Sequence, residues 1–140
     1  MISFSPYLNF NGTCEEAMNF YSKVLGGTLQ ITRFKDMPTP GHEADGEKVM
    51  HSTLKTDDFT FMASDGGMGV IVMGNSVNLS ISGGVSEETK LRGFFDGLSE
   101  GGNIDMPLEK VPWGAYFGYF TDKFGINWMF NIETEAPAVA

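Results

Sequence analysis

Tyr7-Leu-Asn-Phe-Asn-Gly-Thr-Cys-Glu-Glu-Ala-Met-Asn-Phe-Tyr-Ser-Lys-Val-Leu-Gly-Gly27 is the stretch that decides the fold. It contains a strand, a tight corner and an amphipathic helix. Ile2 to Phe10 alternates loosely, which predicts a strand ended by Gly12. Thr13 stands in the N-cap position with Glu16 three residues on, the spacing of a capping box. Ala17, Phe20, Tyr21, Val24 and Leu25 fall on one helical face, and Gly26-Gly27 supplies the stop. A degraded copy follows about half a chain later. Asn78-Leu-Ser-Ile-Ser-Gly83 repeats the strand and corner. Phe94-Phe95 followed by Gly101-Gly102 repeats Phe20-Tyr21 followed by Gly26-Gly27.

Between and after these copies the signals are those of strands. Thr28 to Lys35 alternates apolar with polar residues. Met37 to Glu47, with its prolines, glycines and charges, predicts a long loop. Val49–Thr56 and Phe59–Ser64 predict a hairpin around Asp57-Asp58. In the second half, Ser86 is a candidate cap, and Leu91, Phe94, Phe95 and Leu98 keep helical spacing. Ile104 to Lys110 reads as a strand broken at Pro107, which has no N–H to donate. Trp113–Thr121 and Ile126–Ile132 predict a second hairpin. The expected layout is module one at about 2–64, a connector at about 65–76, module two at about 77–132 and a frayed tail over 133–140.

Each half therefore reads strand, helix, then three strands, an α+β class. A helix and a curved half-sheet cannot bury both faces alone. Two βαβββ modules can, as a mostly antiparallel half-barrel with helices outside and a concave face inside, the natural place for a ligand. The 140 residues suffice for one such domain. A formal net charge of −9 argues against nucleic acid and anionic membranes as partners. No apolar run reaches membrane-spanning length, and the N-terminus lacks signal-peptide character, so the expectation is a cytoplasmic protein. One cysteine excludes an internal disulfide and a multi-cysteine zinc site.

The βαβββ repeat with Phe20-Tyr21 and Leu25-Gly26 resembles the vicinal oxygen chelate superfamily, which holds glyoxalase I, extradiol dioxygenases and bleomycin-resistance proteins. Its PhnB-like branch is the nearer likeness. That rests on Pro6-Tyr-Leu-Asn-Phe-Asn-Gly-Thr-Cys-Glu-Glu-Ala17, on Val49-Met-His51, and on Trp113-Gly-Ala-Tyr-Phe-Gly118 running into Thr121-Asp-Lys-Phe-Gly-Ile-Asn-Trp-Met129. The resemblance implies the glyoxalase/bleomycin-resistance fold and a homodimer. Some members carry a demethylubiquinone methyltransferase label. The chain has no Gly-rich loop between first strand and helix, followed by an acidic residue, of the kind a nucleotide-like cofactor needs, so the label is not transferred and no cofactor is expected.

Metal-dependent relatives place a His or Glu on four strands facing the concavity. The corresponding slots here are Ser5 or Pro6, Phe61 or Met62, Val77 or Asn78, and Trp128 or Met129. None is an imidazole or a carboxylate, and no metal is expected there. His51 has two readings, a base or hydrogen-bond donor in a pocket, or a satisfied strand histidine. His42 beside Glu43 reads as a solvated loop residue. Cys14 reads as a packed corner residue, since Glu15 and Glu16 disfavour a thiolate. Tyr7, Asn9, His51, Asn78, Ser80, Trp113, Tyr116 and Trp128 are the candidate pocket residues, with His51 the catalytic candidate. Their aromatics either form a cup for a small organic molecule or simply fill it or form a dimer contact. The expected function is metal-free small-molecule binding. The alternative is a metal-dependent lyase or dioxygenase with a relocated site around His51.

Overall fold

The computed structural model describes residues 1–37, 40–66 and 69–134. The chain divides into two units, Met1–Val72 and Met73–Ala140, with the boundary inside the expected connector. Residues 67 and 68 of that connector, and the tail from 135, lie outside the described residues.

Unit one runs β1 (Tyr7–Phe10), α1 (Cys14–Leu25), β2 (Thr28–Arg33), β3 (Val49–Lys55) and β4 (Thr60–Asp65). Unit two runs β5 (Leu79–Gly84), α2 (Glu88–Ser99), β6 (Asn103–Lys110), β7 (Ala115–Thr121) and β8 (Asn127–Glu133). Each forms an open four-stranded mixed sheet, ordered β1-β4-β3-β2 and β5-β8-β7-β6. In each, the first strand pairs in parallel with the last, and the other pairs are antiparallel. The registers correspond two residues away from the expected match: Tyr7 lies opposite Met62, while Ser80 rather than Asn78 lies opposite Met129, and Gly83 lies within β5 rather than at its corner. The internal repeat is therefore a repeat of topology.

One face of each sheet carries the helix. Cys14, Ala17, Met18, Tyr21 and Leu25 form the buried stripe of α1, with Tyr21 against Phe61 at 5.9 Å between ring centroids. Leu91, Phe95 and Leu98 do the same on α2, where the Phe95 ring sits edge-on to Phe120 and Phe130 at 4.9 and 5.5 Å. Such edge-to-face pairs contribute about 1 kcal/mol beyond the area they bury. Arg33 ties the end of β2 to α1 through both oxygens of Glu15, at 3.1 and 2.5 Å.

Four local expectations need correction. The first strand begins at Tyr7 rather than Ile2, and Ile2 and Phe4 are exposed. Only Pro6 before it bonds the sheet, through its carbonyl to the Met62 N–H. Neither Thr13 nor Ser86 caps a helix by its side chain. A 3-10 turn, Val85–Glu87, carries the chain into α2. At α1, the buried Asp65 carboxylate at the end of β4 takes the cap's place. It accepts the N–H groups of Gly12 at 2.8 Å and Cys14 at 2.9 Å through Oδ1, and that of Val49 at 3.1 Å through Oδ2. The strand Asn103–Lys110 is continuous rather than broken at Pro107. It absorbs the proline in two register shifts, opposite a Gly118 with no side chain to obstruct the approach.

The two Gly-Gly pairs do two jobs. Gly26 and Gly101 have positive φ, at 82° and 77°, with open space around Gly26. At Gly27 and Gly102 the backbone approaches the neighbouring strand. A Cβ there would run into the carbonyl oxygen of Lys55 or of Thr121. Gly27→Ala should therefore cost roughly 2–3 kcal/mol and Gly26→Ala about 1 kcal/mol, from strain without collision. Equal shifts in urea midpoint would contradict this. Asp65→Ala should cost about 3 kcal/mol, because three backbone N–H groups, two of them buried, lose a charged acceptor. A loss under about 1 kcal/mol in the same assay would remove Asp65 from its structural role.

Candidate functional site

The face of each sheet opposite the helix holds the candidate residues. In unit one, strand alternation puts Leu8, Phe10, Phe61, Ala63, Ser52 and Leu54 on the helix side. Tyr7, Asn9, His51, Thr53 and Met62 take the other. His51 is at the centre of a short polar row. Its Nδ1 lies 3.2 Å from the Tyr7 hydroxyl and its Nε2 lies 3.2 Å from Thr53 Oγ1. The Tyr7 and His51 rings are 5.7 Å apart. Tyr7 is 45% exposed and His51 half-buried, so the row borders solvent. Thr53 was absent from the expected set, although its spacing of two from His51 on a strand already places it on the same face.

In unit two, Ser80 is exposed, as is Asn78 one residue before β5. Ser80 Oγ lies 3.5 Å from Ser82 Oγ. Trp113 is 66% exposed and begins an aromatic row with Phe117 and Tyr119, at successive centroid spacings of 5.9 and 6.2 Å. Register sets Ser80, Met129 and Tyr119 side by side, and Ser82, Asn131 and Phe117 likewise.

Two expected pocket residues are on the wrong face. Trp128 is 2% exposed and donates its indole N–H to buried Asp122 at 2.9 Å. It shares its face with Phe130 and Ile132, both packed on the helix side. A buried indole needs an acceptor, and Asp122 in the β7–β8 turn supplies it while also accepting the Phe124 and Ile126 N–H groups. Tyr116 lies opposite Ile132, and the Arg92 guanidinium of α2 stands 4.7 Å from its ring centroid. Phe117 and Tyr119 take the open-face positions instead.

The four slots of the metal-dependent relatives do not fit a divalent ion. Met62 and Met129 offer thioethers on the open faces, while Phe61 and Trp128 turn toward the helices. Among the described residues no three His, Cys, Asp or Glu side chains gather as a metal site. His42 is half-buried rather than solvated. It stacks on Phe34 at 4.6 Å and meets Asp45 at 3.2 Å, separate from His51's partners. The Lys48 ammonium, and then His42, hold the Asp45 carboxyl below its usual range.

Two βαβββ units with open mixed sheets define the glyoxalase/bleomycin-resistance class of fold. A glyoxalase/bleomycin resistance protein/dioxygenase from Nocardioides shares that fold, with TM-score 0.55 at 18% identity over 100% of this chain and 91% of the other. The chain belongs to the PhnB-like family whose model is described as 3-demethylubiquinone-9 3-methyltransferase, matched over residues 2–130. It is similar to the protein PA1353 from Pseudomonas aeruginosa, at 39% identity and TM-score 0.79 over 96% of this chain and 100% of that one. The PhnB protein from Bacillus cereus is 28% identical, with TM-score 0.69 over 94% and 99%. Among the described residues no helix is long and apolar enough to cross a membrane.

Cys14 is fully buried, its Sγ 3.6 Å from Ser52 Oγ. Its thiol is pushed up to about 12, chiefly by burial; the Ser52 hydrogen bond opposes the rise, and the Asp65 and Glu15 carboxylates add to it. From the ordinary value near 9 up to about 12, the unfolded chain releases a proton that the folded chain keeps. Stability from this group is thus complete below the lower value and is lost as pH rises through the upper one. Iodoacetamide at mildly alkaline pH should label Cys14 rapidly in denaturant and slowly in the folded protein. Equal rates would show an accessible thiolate.

Proposed function

We propose that the chain is a metal-free binding protein for a small organic molecule with a planar, apolar part, working as a homodimer. The observation that carries this reading is the aromatic row Trp113–Phe117–Tyr119, exposed at Trp113 and Tyr119 and half-buried at Phe117, bordered by Ser80, Ser82 and Asn131. Leaving a large aromatic side chain in water forgoes about 1.5–3 kcal/mol of burial. A flat ring laid on this floor would recover part of that, while the adjoining hydroxyls and amide fix its orientation. The polar row Tyr7–His51–Thr53 offers hydrogen bonds on the corresponding face of unit one.

Methyl transfer, named in the family description, is not adopted. At the corner between β1 and α1, where a nucleotide-like cofactor would need free N–H groups, those of Gly12 and Cys14 are already bonded to Asp65. A displaced metal at His51 gains no support either. Both ring nitrogens have hydroxyl neighbours, and no carboxylate joins them among the described residues.

Native mass spectrometry of protein purified without chelator should give a dimer without a stoichiometric divalent metal. The neutral probe benzamide should quench the fluorescence of Trp113, and Trp113→Phe should abolish the response, leaving only the buried Trp128 signal. A stoichiometric metal, or no quenching at millimolar benzamide, would overturn the reading.

A further inference from the structure

We infer that the Tyr7–His51–Thr53 row is an anion site for an organic carboxylate, and that binding favours the imidazolium form of His51. The inference rests on the binding reading above and adds, for unit one by itself, the class of ligand its polar row takes. It follows from counting protons along the row. Neutral imidazole has one N–H and one bare nitrogen. The hydroxyl beside the bare nitrogen must donate its proton inward to be bonded. The hydroxyl beside the N–H accepts, and its own proton is free to point outward. Either tautomer therefore leaves one outward donor, at Thr53 or at Tyr7.

Protonation changes that count. Imidazolium donates from both nitrogens, so both hydroxyls accept and both turn their protons outward. The row then presents two donors and a positive charge, where before it presented one donor and none. A carboxylate accepting from either hydroxyl meets a donor polarised by the imidazolium behind it. The hydroxyls flank the ring on its two nitrogen sides, so one carboxylate engages one of them and the other is left for a second acceptor on the ligand. The proton comes from water and settles on the nitrogen that had been bare. The bound state is neutral as a pair, and no other bond changes.

Among the described residues of unit one, no carboxylate shares the open sheet face with this charge. On the open face of unit one, β2 contributes Gln30 and Thr32, β4 contributes Thr60, Met62 and Ser64, and β1 contributes Asn9 beside Tyr7. None of these is charged. Lys55, four residues along β3, is exposed and positive. The carboxylates of the unit that have assigned partners are engaged elsewhere. Asp65 serves the α1 corner, Glu15 holds Arg33, Asp36 accepts the Arg33 backbone N–H, Glu47 holds Lys35, and Asp45 meets His42 and Lys48.

The chain has two histidines, which makes the test direct. Imidazole ring protons are followed by NMR across mildly acidic to mildly alkaline pH, with no probe, with benzoate, and with neutral benzamide. Benzoate should raise the His51 midpoint by about one pH unit, the linkage expected for tenfold tighter binding to the imidazolium form. The His42 midpoint should stay fixed, and benzamide should move neither. In Tyr7→Phe/Thr53→Val the effect of benzoate on His51 should vanish, although the imidazole still titrates. A benzoate shift of both histidines alike, or one that survives in the double variant, would mean bulk charge attraction and overturn the inference. If benzoate leaves His51 unmoved while benzamide quenches Trp113, the anion site falls and the binding reading stands. If neither probe affects Trp113 or His51, both fall.

Discussion

One buried carboxylate holds the first unit together. Asp65 ends β4, yet its oxygens reach the corner before α1 and the first residue of β3. Burying an unpaired carboxylate costs far more than any single contact returns. Three backbone N–H groups offset that cost, and in doing so fix three pieces of chain far apart in sequence. The start of α1, the end of β4 and the start of β3 are thereby tied to one another. The second unit departs from this plan. Register places Ile132 where Asp65 stands, so the corresponding position is apolar. Its buried carboxylate, Asp122, lies in the β7–β8 turn and serves Trp128 instead.

The same register shows how a duplicated scaffold carries two different surfaces. Thr53 of unit one corresponds to Tyr119 of unit two, and His51 to Phe117. A polar, titratable row in one unit is an aromatic row in the other. The backbone that carries them is the same in kind, down to the glycine after each helix that lets the next strand close on its neighbour. Specificity in such a fold resides in which side chains alternate onto the open face, which substitution changes without disturbing the helix side.

What the sequence made legible followed the range of the forces involved. The βαβββ repeat, the Gly-Gly stops and both hairpins rest on local signals, and all were readable. The cap of α1 was not, because its donor and acceptor lie 51 residues apart, from Cys14 to Asp65. Thr13 and Glu16 made a persuasive local substitute that the fold does not use. Trp128 was misplaced although the signal existed: Trp128, Phe130 and Ile132 alternate with Asn127, Asn131 and Glu133, so the indole belongs with the apolar set. Tyr116 was a harder case. Ala115–Thr121 is rich in aromatics on both faces, and only its pairing with Ile132 and its contact with Arg92 decide its side. No local signal reveals that Tyr7 reaches His51, since that contact joins the two outer members of a β1-β4-β3 pairing.

Val49, whose N–H is gripped by Asp65, stands two residues before His51 on the same strand. Loosening of the helix corner therefore bears on the strand that carries the imidazole. Linkage then works in both directions. A molecule held by His51 on one face of the sheet would slow amide exchange at Gly12 and Cys14 on the other, which it never touches. The carboxylate beneath the sheet makes the readiness of the outer face a property of the whole unit.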